Sequence, residues 1–430
     1  MVLRLRLALL AAVLVVAAAL VFVLQSGDPD PDVPVIPTPP GAQRGEAVAD
    51  PFAYSAERAP DLTRRAARGT SRLLYTRSPG GAAETAKRVA EFREPVEAAA
   101  KAAGVNPDLL EALVFLESAG RPDVLAPGGI EGAAGLTQIL AETGQNLLDM
   151  DIDLERSRSY TRRLDAAVRD GNLKRAAALT RARRRVDDRF DPAKALAGTA
   201  RYLKLGLDEF DGREDLAFVS YHMGMGNLNN VIKAFGGGPR PYVELYFDST
   251  PQRHQAAQEL LTSFGDDSSN YYWKLLAARD IMRAHRKDPA ALDRTAAIRA
   301  ADASGRERLL AGAEEGGTRT FEAAPENTGL EVPTGLELRP EALAVALYMG
   351  SQVRSILGDG TLRVQSAADG GWSFRIARTY ASDAQALAFQ YVLDRLQVLD
   401  VIAWSRAERT IRVTAGRDAD VLEPLLDRLG

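Results

Sequence analysis

Apolar positions from Glu84 to Asp288 recur mainly at three- and four-residue spacing among Ala, Leu and charged residues, with almost no alternating stretches. That period belongs to amphipathic helices, so this stretch predicts an all-α domain of roughly 200 residues. After Leu336 the texture changes. A helical pattern from Pro340 to Leu357 precedes alternating runs at Thr361 to Ser366 and Trp372 to Ala377. A second helical pattern from Asp383 to Leu396 leads into short runs at Val401 to Ser405 and Thr410 to Thr414, with Ala407 and Glu408 at the turn of a hairpin. Period-two runs interspersed with helices predict a small α+β domain.

Upstream, Leu7 to Leu24 is uninterruptedly apolar behind Arg4 and Arg6. At ~1.5 Å per residue it reaches most of the way across a hydrocarbon core, and it ends without a small-residue cleavage site. It reads as a transmembrane anchor, with a cleaved signal peptide as the alternative; the flanking arginines place everything after Gln25 outside the cytoplasm. Asp28 to Pro40 is an Asp- and Pro-rich spacer, and Pro51 to Arg77 is polar with little fixed structure expected. The expected organisation is an anchor over 1–25, a linker and irregular segment over 26–83, a helical domain over 84–300, a linker over 301–335 and the α+β domain over 336–430.

Composition narrows the chemistry. The chain has no cysteine and three histidines, His222, His254 and His285. Disulfides, thiolate zinc sites, a cysteine nucleophile and a lipidated cysteine are excluded, and neither metal nor cofactor is expected. A net charge of -4 gives no global signal for nucleic acid. Glu155 to Arg189 is locally basic. Such a run is ordinarily a solvated helix face; the other reading is electrostatic docking onto an anionic polymer.

The candidate acid is Glu117. Leu110, Leu113 and Glu117 fall at i, i+3 and i+7, which places the carboxyl on a core-facing stripe, where burial disfavours the anion and raises the pKa toward the range of a general acid. A glycine-rich stretch follows, with Gly128, Gly129, Gly132 and Gly135 preceding Gln138. These glycines allow close approach of backbone to a ligand, or simply make turns. Gln138 offers donors and an acceptor, and Tyr221 an amphipathic wall with a hydroxyl.

Three segments in this order, Ala103 to Ser118, Gly132 to Ile139 and Leu216 to Asn227, resemble the soluble lytic transglycosylase family, whose lysozyme-like domain cleaves bacterial peptidoglycan. Asp191 to Leu203 resembles the helix that family has between its second and third motifs. The resemblance covers roughly residues 84 to 285. It implies a mainly α, lysozyme-like fold, with Glu117 as the sole catalytic acid/base and Ser118 helping to position it. It further implies a substrate cleft containing Gly135, Gln138, Tyr221, His222, Gly224 and a late-helix tyrosine, either Tyr271 or Tyr272. The implied reaction cleaves the bond between N-acetylmuramic acid and N-acetylglucosamine and closes a 1,6-anhydro ring, so it needs no second carboxylate. The implied partner is the peptidoglycan strand, on the extracytoplasmic side of the membrane.

The sequence departs from the family pattern in places. His222-Met223 stands where Asn-Ala is common, Thr137 and Leu140 replace frequent methionines, and the Arg-rich stretch is longer than usual. A hydrolase with Glu131 activating water and a noncatalytic wall-binding scaffold are the rival readings. The C-terminal region faintly resembles zinc-dependent D-alanyl-D-alanine carboxypeptidase-like domains. The ligand positions of those domains fall here on Ala368, Arg375 and Arg412, which cannot hold zinc in the usual way. The resemblance therefore implies a catalytically dead domain that binds peptide stems or an envelope protein.

Overall fold

The computed structural model describes residues 53–250, 253–264 and 268–300, then short segments at 319–320, 330–331, 337–338, 348–350, 362–366, 372–376, 391, 393–399, 402–405 and 410–413. The apolar run at Leu7 to Leu24 lies outside them. Among the described residues no helix is long and apolar enough to cross a membrane.

The body is helical, as the periodicity predicts. α1 (Ala59–Arg77), α2 (Ala82–Ala90), α3 (Arg93–Ala103) and α4 (Pro107–Ser118) come first. Residues Ala133–Ala134 (β1) and Ile139–Leu140 (β2) form a small hairpin, followed by α5 (Ala141–Asn146), α6 (Leu154–Arg169) and α7 (Leu173–Arg184). Then come α8 (Pro192–Glu209), α9 (Glu214–Met223), α10 (Met225–Phe235), α11 (Tyr242–Asp248), α12 (Gln255–Ser263), α13 (Tyr271–Lys287) and α14 (Pro289–Ala300).

Local chemistry sets the helix starts. Asn106 caps α4, its side chain accepting from the Asp108 N–H at 2.9 Å, and Pro107 takes the first turn, where no donor is needed. Asp191 caps α8 in the same way, accepting from the N–H groups of Ala193 and Lys194 ahead of Pro192. α4 is buried from Leu109 through Phe115, around nearly its whole circumference. It is a central helix, enclosed by α3, α2 and α13.

α1 corrects the expectation of little structure between Pro51 and Arg77. It is a 19-residue helix that buries Leu62, Ala66, Thr70 and Leu74, spaced by four, against α13. Its stripe interleaves leucines with alanine and threonine, so the arginines on its other face dominate the sequence pattern, and only packing reveals the helix.

The C-terminal segments contain the expected strands. Leu330–Glu331 (β4), Leu362–Ser366 (β6), Trp372–Ile376 (β7), Ile402–Ser405 (β8) and Thr410–Val413 (β9) form a five-stranded sheet in the order β4-β6-β7-β9-β8. β4 runs parallel to β6 and the remaining pairs are antiparallel. Arg319–Thr320 (β3) pairs with Glu337–Leu338 (β5), so the stretch expected to be only a linker supplies strand partners. Arg412 pairs with Ser373 in the ladder, while Ala368 lies outside the described residues. Leu393, Leu396, Val398 and Leu399 join the same apolar core as the helical body, and the Arg395 guanidinium lies 5.4 Å from the centre of the Phe247 ring of α11.

Candidate active site

Glu117 occupies the last turn of α4. The helix ends there because Ala119 takes a left-handed conformation (φ 54°) and Gly120 follows at φ 71°. The glycine is required sterically: a Cβ at Gly120 would lie 2.8 Å from the Val89 nitrogen of α2. Arg88 donates from Nε to the Ala119 carbonyl at 3.0 Å, satisfying one of the helix's terminal acceptors. The end of α4 is therefore fixed to α2 by a close backbone contact and a charged hydrogen bond.

The Glu117 side chain is half-buried at its surface but embedded in protein behind. Among the described residues its hydrogen-bond partner is the Tyr271 phenol at the start of α13, which donates to Oε1 at 2.7 Å. Burial raises the carboxyl from its ordinary value near 4.5 to about 7, with the Tyr271 hydrogen bond opposing it more weakly. The negative end of the α4 dipole works in the same direction as burial. The i, i+3, i+7 spacing predicted a carboxyl held against apolar surface, and Glu117 is embedded in protein, but the reason differs in the fold. Leu110 and Leu113 do not define a single buried stripe, because every side of α4 is covered; Glu117 differs in being where the helix meets the surface.

A second tyrosine, Tyr221, lies close enough to the carboxyl to feel its charge. Tyr221, on α9, donates to the Thr137 carbonyl at 2.8 Å and lies 3.2 Å from the Thr199 hydroxyl of α8. Its ring meets Tyr202 edge-on, with centroids 5.2 Å apart. Burial first, and then the charge of Glu117, pushes the Tyr221 and Tyr271 phenols well above their ordinary range. Both therefore remain protonated donors at physiological pH. His222 is exposed and lies flat on Tyr271, with ring centroids 4.8 Å apart and planes 5° from parallel. It thus covers the tyrosine that holds the acid.

The ambiguity between neighbouring tyrosines resolves geometrically: Tyr271 reaches Glu117, whereas Tyr272 packs edge-on against Tyr242 at 5.7 Å and Trp273 at 5.4 Å. Gly224 joins α9 to α10 at φ 84° with open space where a Cβ would stand, so its role is conformational. The buried Ser118 hydroxyl donates to the Val114 carbonyl of its own helix at 3.3 Å. It firms up the turn that carries Glu117 instead of holding the carboxyl.

The glycine loop also departs from expectation. Gly135 has φ 82°, and a Cβ there would lie 1.7 Å from the Arg189 carbonyl oxygen. The close approach is to the protein's own backbone. Gly132 and Gly128 face one another within the loop, so these glycines serve turn-making. Gln138 has a strained φ of 54°, and its side-chain nitrogen donates to the carbonyls of Gly135 (2.9 Å) and Val124 (3.2 Å). Its amide nitrogen is spent on holding the loop.

Arg189 is the residue that sequence reasoning missed. It is wholly buried, pairs with the wholly buried Asp187 at 2.8 Å, and donates to the carbonyls of Gly132 (2.9 Å) and Ile130 (2.8 Å). Arg183 is also buried; it donates to Asp123 at 2.8 Å and lies 3.7 Å from the Phe190 ring centre. The Arg-rich stretch is thus not wholly a solvated face. The signal in the sequence was Asp187, two residues before Arg189, which supplies the partner that this buried guanidinium needs. Glu131, the base required by a hydrolytic reading, is exposed and bonded to Arg158 of α6, which holds its carboxyl below the usual range.

Among the described residues, no group of three or more His, Asp and Glu is arranged to hold a metal ion. Residues 172–240 match the model of one protein family, the transglycosylase SLT domain. The matched segment contains Thr199, Tyr221, His222 and Gly224, while Glu117, Ser118, Gly135, Gln138, Tyr271 and Tyr272 lie outside it. No curated protein matches the chain. The match and the helical body together are consistent with a lysozyme-like domain of the peptidoglycan-lytic kind.

Proposed function

We propose that this chain is a lytic transglycosylase acting on bacterial peptidoglycan, with Glu117 as its only acid/base. The observation that carries the reading is a carboxyl with its pKa at about 7, held by Tyr271 and framed by Tyr221 from the family-matched segment. A group with that pKa is populated in both protonation states near neutral pH, which suits one residue serving first as acid and then as base.

With Tyr271 donating to Oε1, Oε2 is left to carry the proton. Glu117 delivers it to the glycosidic oxygen as the bond from N-acetylmuramic acid to N-acetylglucosamine breaks, leaving an oxocarbenium-like centre at C1. The resulting carboxylate then removes the proton of the C6 hydroxyl, whose oxygen bonds to C1 and closes the 1,6-anhydro ring. Glu117 regains its proton, no water is consumed, and no second carboxylate takes part. His222, stacked on Tyr271, and the Tyr221 wall contribute the surface against which a saccharide packs. The site is proposed to work outside the cytoplasm, with Leu7 to Leu24 as its membrane anchor.

Digestion of purified sacculi followed by mass analysis of the muropeptides tests this reading. The expected products are anhydro-muropeptides, one water lighter than hydrolysis products. Glu117→Gln, which keeps size and hydrogen bonding but loses the transferable proton, is expected to lower turnover by at least roughly a thousandfold. Reducing-end muramic acid as the sole product would refute transglycosylation, and equal activity in wild type and variant would remove Glu117 from the chemistry.

A further inference from the structure

The antiparallel hairpin of α6 and α7 carries eleven Lys and Arg against three Asp and Glu between Leu154 and Val186, in a chain whose net charge is -4. Its base is fixed to the body. Asp153 donates its N–H to the Val186 carbonyl, the Ser157 hydroxyl donates to Asp187 at 2.7 Å, Arg158 bonds Glu131, and Arg183 bonds Asp123. Arg189, just beyond it, grips the glycine loop. The hairpin is therefore a rigid projection from the same loop that supports the Glu117 site.

The apex has a different character. The turn is Asp170-Gly171-Asn172, with Gly171 at φ 68° and the Asn172 side chain capping α7. On either side stand Val168, 57% exposed, and Leu173, 77% exposed; the only other large apolar side chain this exposed among the described residues is Leu140. They are not needed to hold the two helices together, because Ala167, Ala176 and Leu179 form the hairpin's own small core with Tyr160 and Leu164. Beside this apolar tip Arg169, Lys174 and Arg175 are exposed, and further down the hairpin so are Arg162, Arg181 and Arg185; none of the six forms an ion pair among the described residues.

An apolar tip inside a collar of unpaired cations complements one environment in particular, the interface of an anionic bilayer. There the tip enters the acyl boundary while arginine and lysine heads stay with the phosphates. A hydrophilic polyanion such as a wall polymer would be met by the cations alone and would gain nothing from two exposed aliphatic side chains. We propose that the apex of the α6–α7 hairpin docks on an anionic lipid bilayer, with Val168 and Leu173 inserted and Arg169, Lys174 and Arg175 at the headgroups. Because the hairpin base is locked to the glycine loop, docking sets how the Glu117 site faces relative to the membrane. The inference goes beyond the enzymatic reading and does not depend on it.

The absence of cysteine makes the test clean. Full-length Leu173→Cys carries a single environment-sensitive fluorophore at the apex, and full-length Lys204→Cys carries it on an exposed position of α8. Both are mixed with vesicles of phosphatidylcholine, alone or with phosphatidylglycerol. Leu7 to Leu24 is present in every sample, so its contribution is common to all. The label at 173 is expected to shift to the blue and brighten on the anionic vesicles only, while the label at 204 stays unchanged. Replacing Arg169, Lys174 and Arg175 by Glu is expected to weaken that response roughly tenfold or more. A label at 173 that stays in water on anionic vesicles, responds equally to neutral ones, or responds instead to purified sacculi overturns the proposal. None of these outcomes affects the muropeptide assay.

Discussion

Burial keeps the Glu117 carboxyl protonated at pH values where an exposed glutamate is ionised, and this has a consequence for stability that is separate from catalysis. Its pKa is raised in the folded state to about 7. Between its ordinary value near 4.5 and that point, the native protein binds a proton that the unfolded chain has released. Stability contributed by this site is thus present at low pH and lost as pH rises through that window. Glu117→Gln removes the dependence. The variant is expected to gain up to about 3 kcal/mol over wild type at pH 8 relative to pH 4, because each tenfold change in proton affinity is worth about 1.4 kcal/mol. Thermal melts across that range check it, and parallel curves would contradict it. Tyr271→Phe acts in the other direction on the acid. The Tyr271 hydrogen bond lowers the Glu117 pKa, so its loss moves the alkaline limb of the pH–rate profile upward while turnover falls roughly ten- to a hundredfold. A limb that moves down or stays fixed would show that the phenol does not tune the Glu117 carboxyl.

Helices, in turn, fix that residue pair. α4 and α13 run antiparallel, with Glu117 and Tyr271 meeting at one end and a charge cluster at the other. There the wholly buried Glu111 bonds Arg286 and sits 3.0 Å from Arg93, while Asp108 bonds Arg93 at 2.9 Å, Arg283 at 2.8 Å and Arg286 at 2.8 Å. Removing Glu111 takes one anion from the half-buried Arg93 and Arg286 and leaves them Asp108. Glu111→Ala is therefore expected to cost about 1.5–3 kcal/mol in denaturant unfolding. It is also expected to lower sacculus-digesting activity more than a core variant of equal instability, such as Leu62→Ala in α1, because it frees the register that delivers Tyr271. Equal activity in the two variants at matched stability would assign the cluster to stability alone. The starts of α4 and α8 are legible in the sequence through Asn106-Pro107 and Asp191-Pro192. α1 is not, because between Leu62 and Leu74 its buried face is made of small residues, Ala66, Ala67 and Thr70, whose burial depends on α13, more than a hundred residues further along the chain.

Across the whole molecule, the C-terminal helical segment and the helical body share one core. Leu396 is 1% exposed within that core, and Arg395 lies over Phe247. A charge at this position would be buried without a partner, so Leu396→Asp is expected to lower the melting temperature of the helical body itself. Unfolding is followed at Trp273, which is fully buried beside Phe247 at 5.5 Å between ring centres. A Trp273 transition unchanged by Leu396→Asp would mean that the two parts unfold independently. Charge is divided at the same scale: a mildly acidic chain carries one strongly basic hairpin, a distribution that the net value of -4 conceals.

The sequence by itself determined the helical body, the strands after Leu336, and the candidate acid with its neighbouring segments, because period, capping residues and motif order are local properties of the chain. Tertiary structure decided which tyrosine meets Glu117, that Gly135 yields to the Arg189 backbone, that Arg183 and Arg189 turn inward, and that α1 exists as a packed helix. Each of these depends on what a residue far away in the chain places beside it. Burial and close contact are properties of a folded neighbourhood, and no spacing rule along one segment contains them.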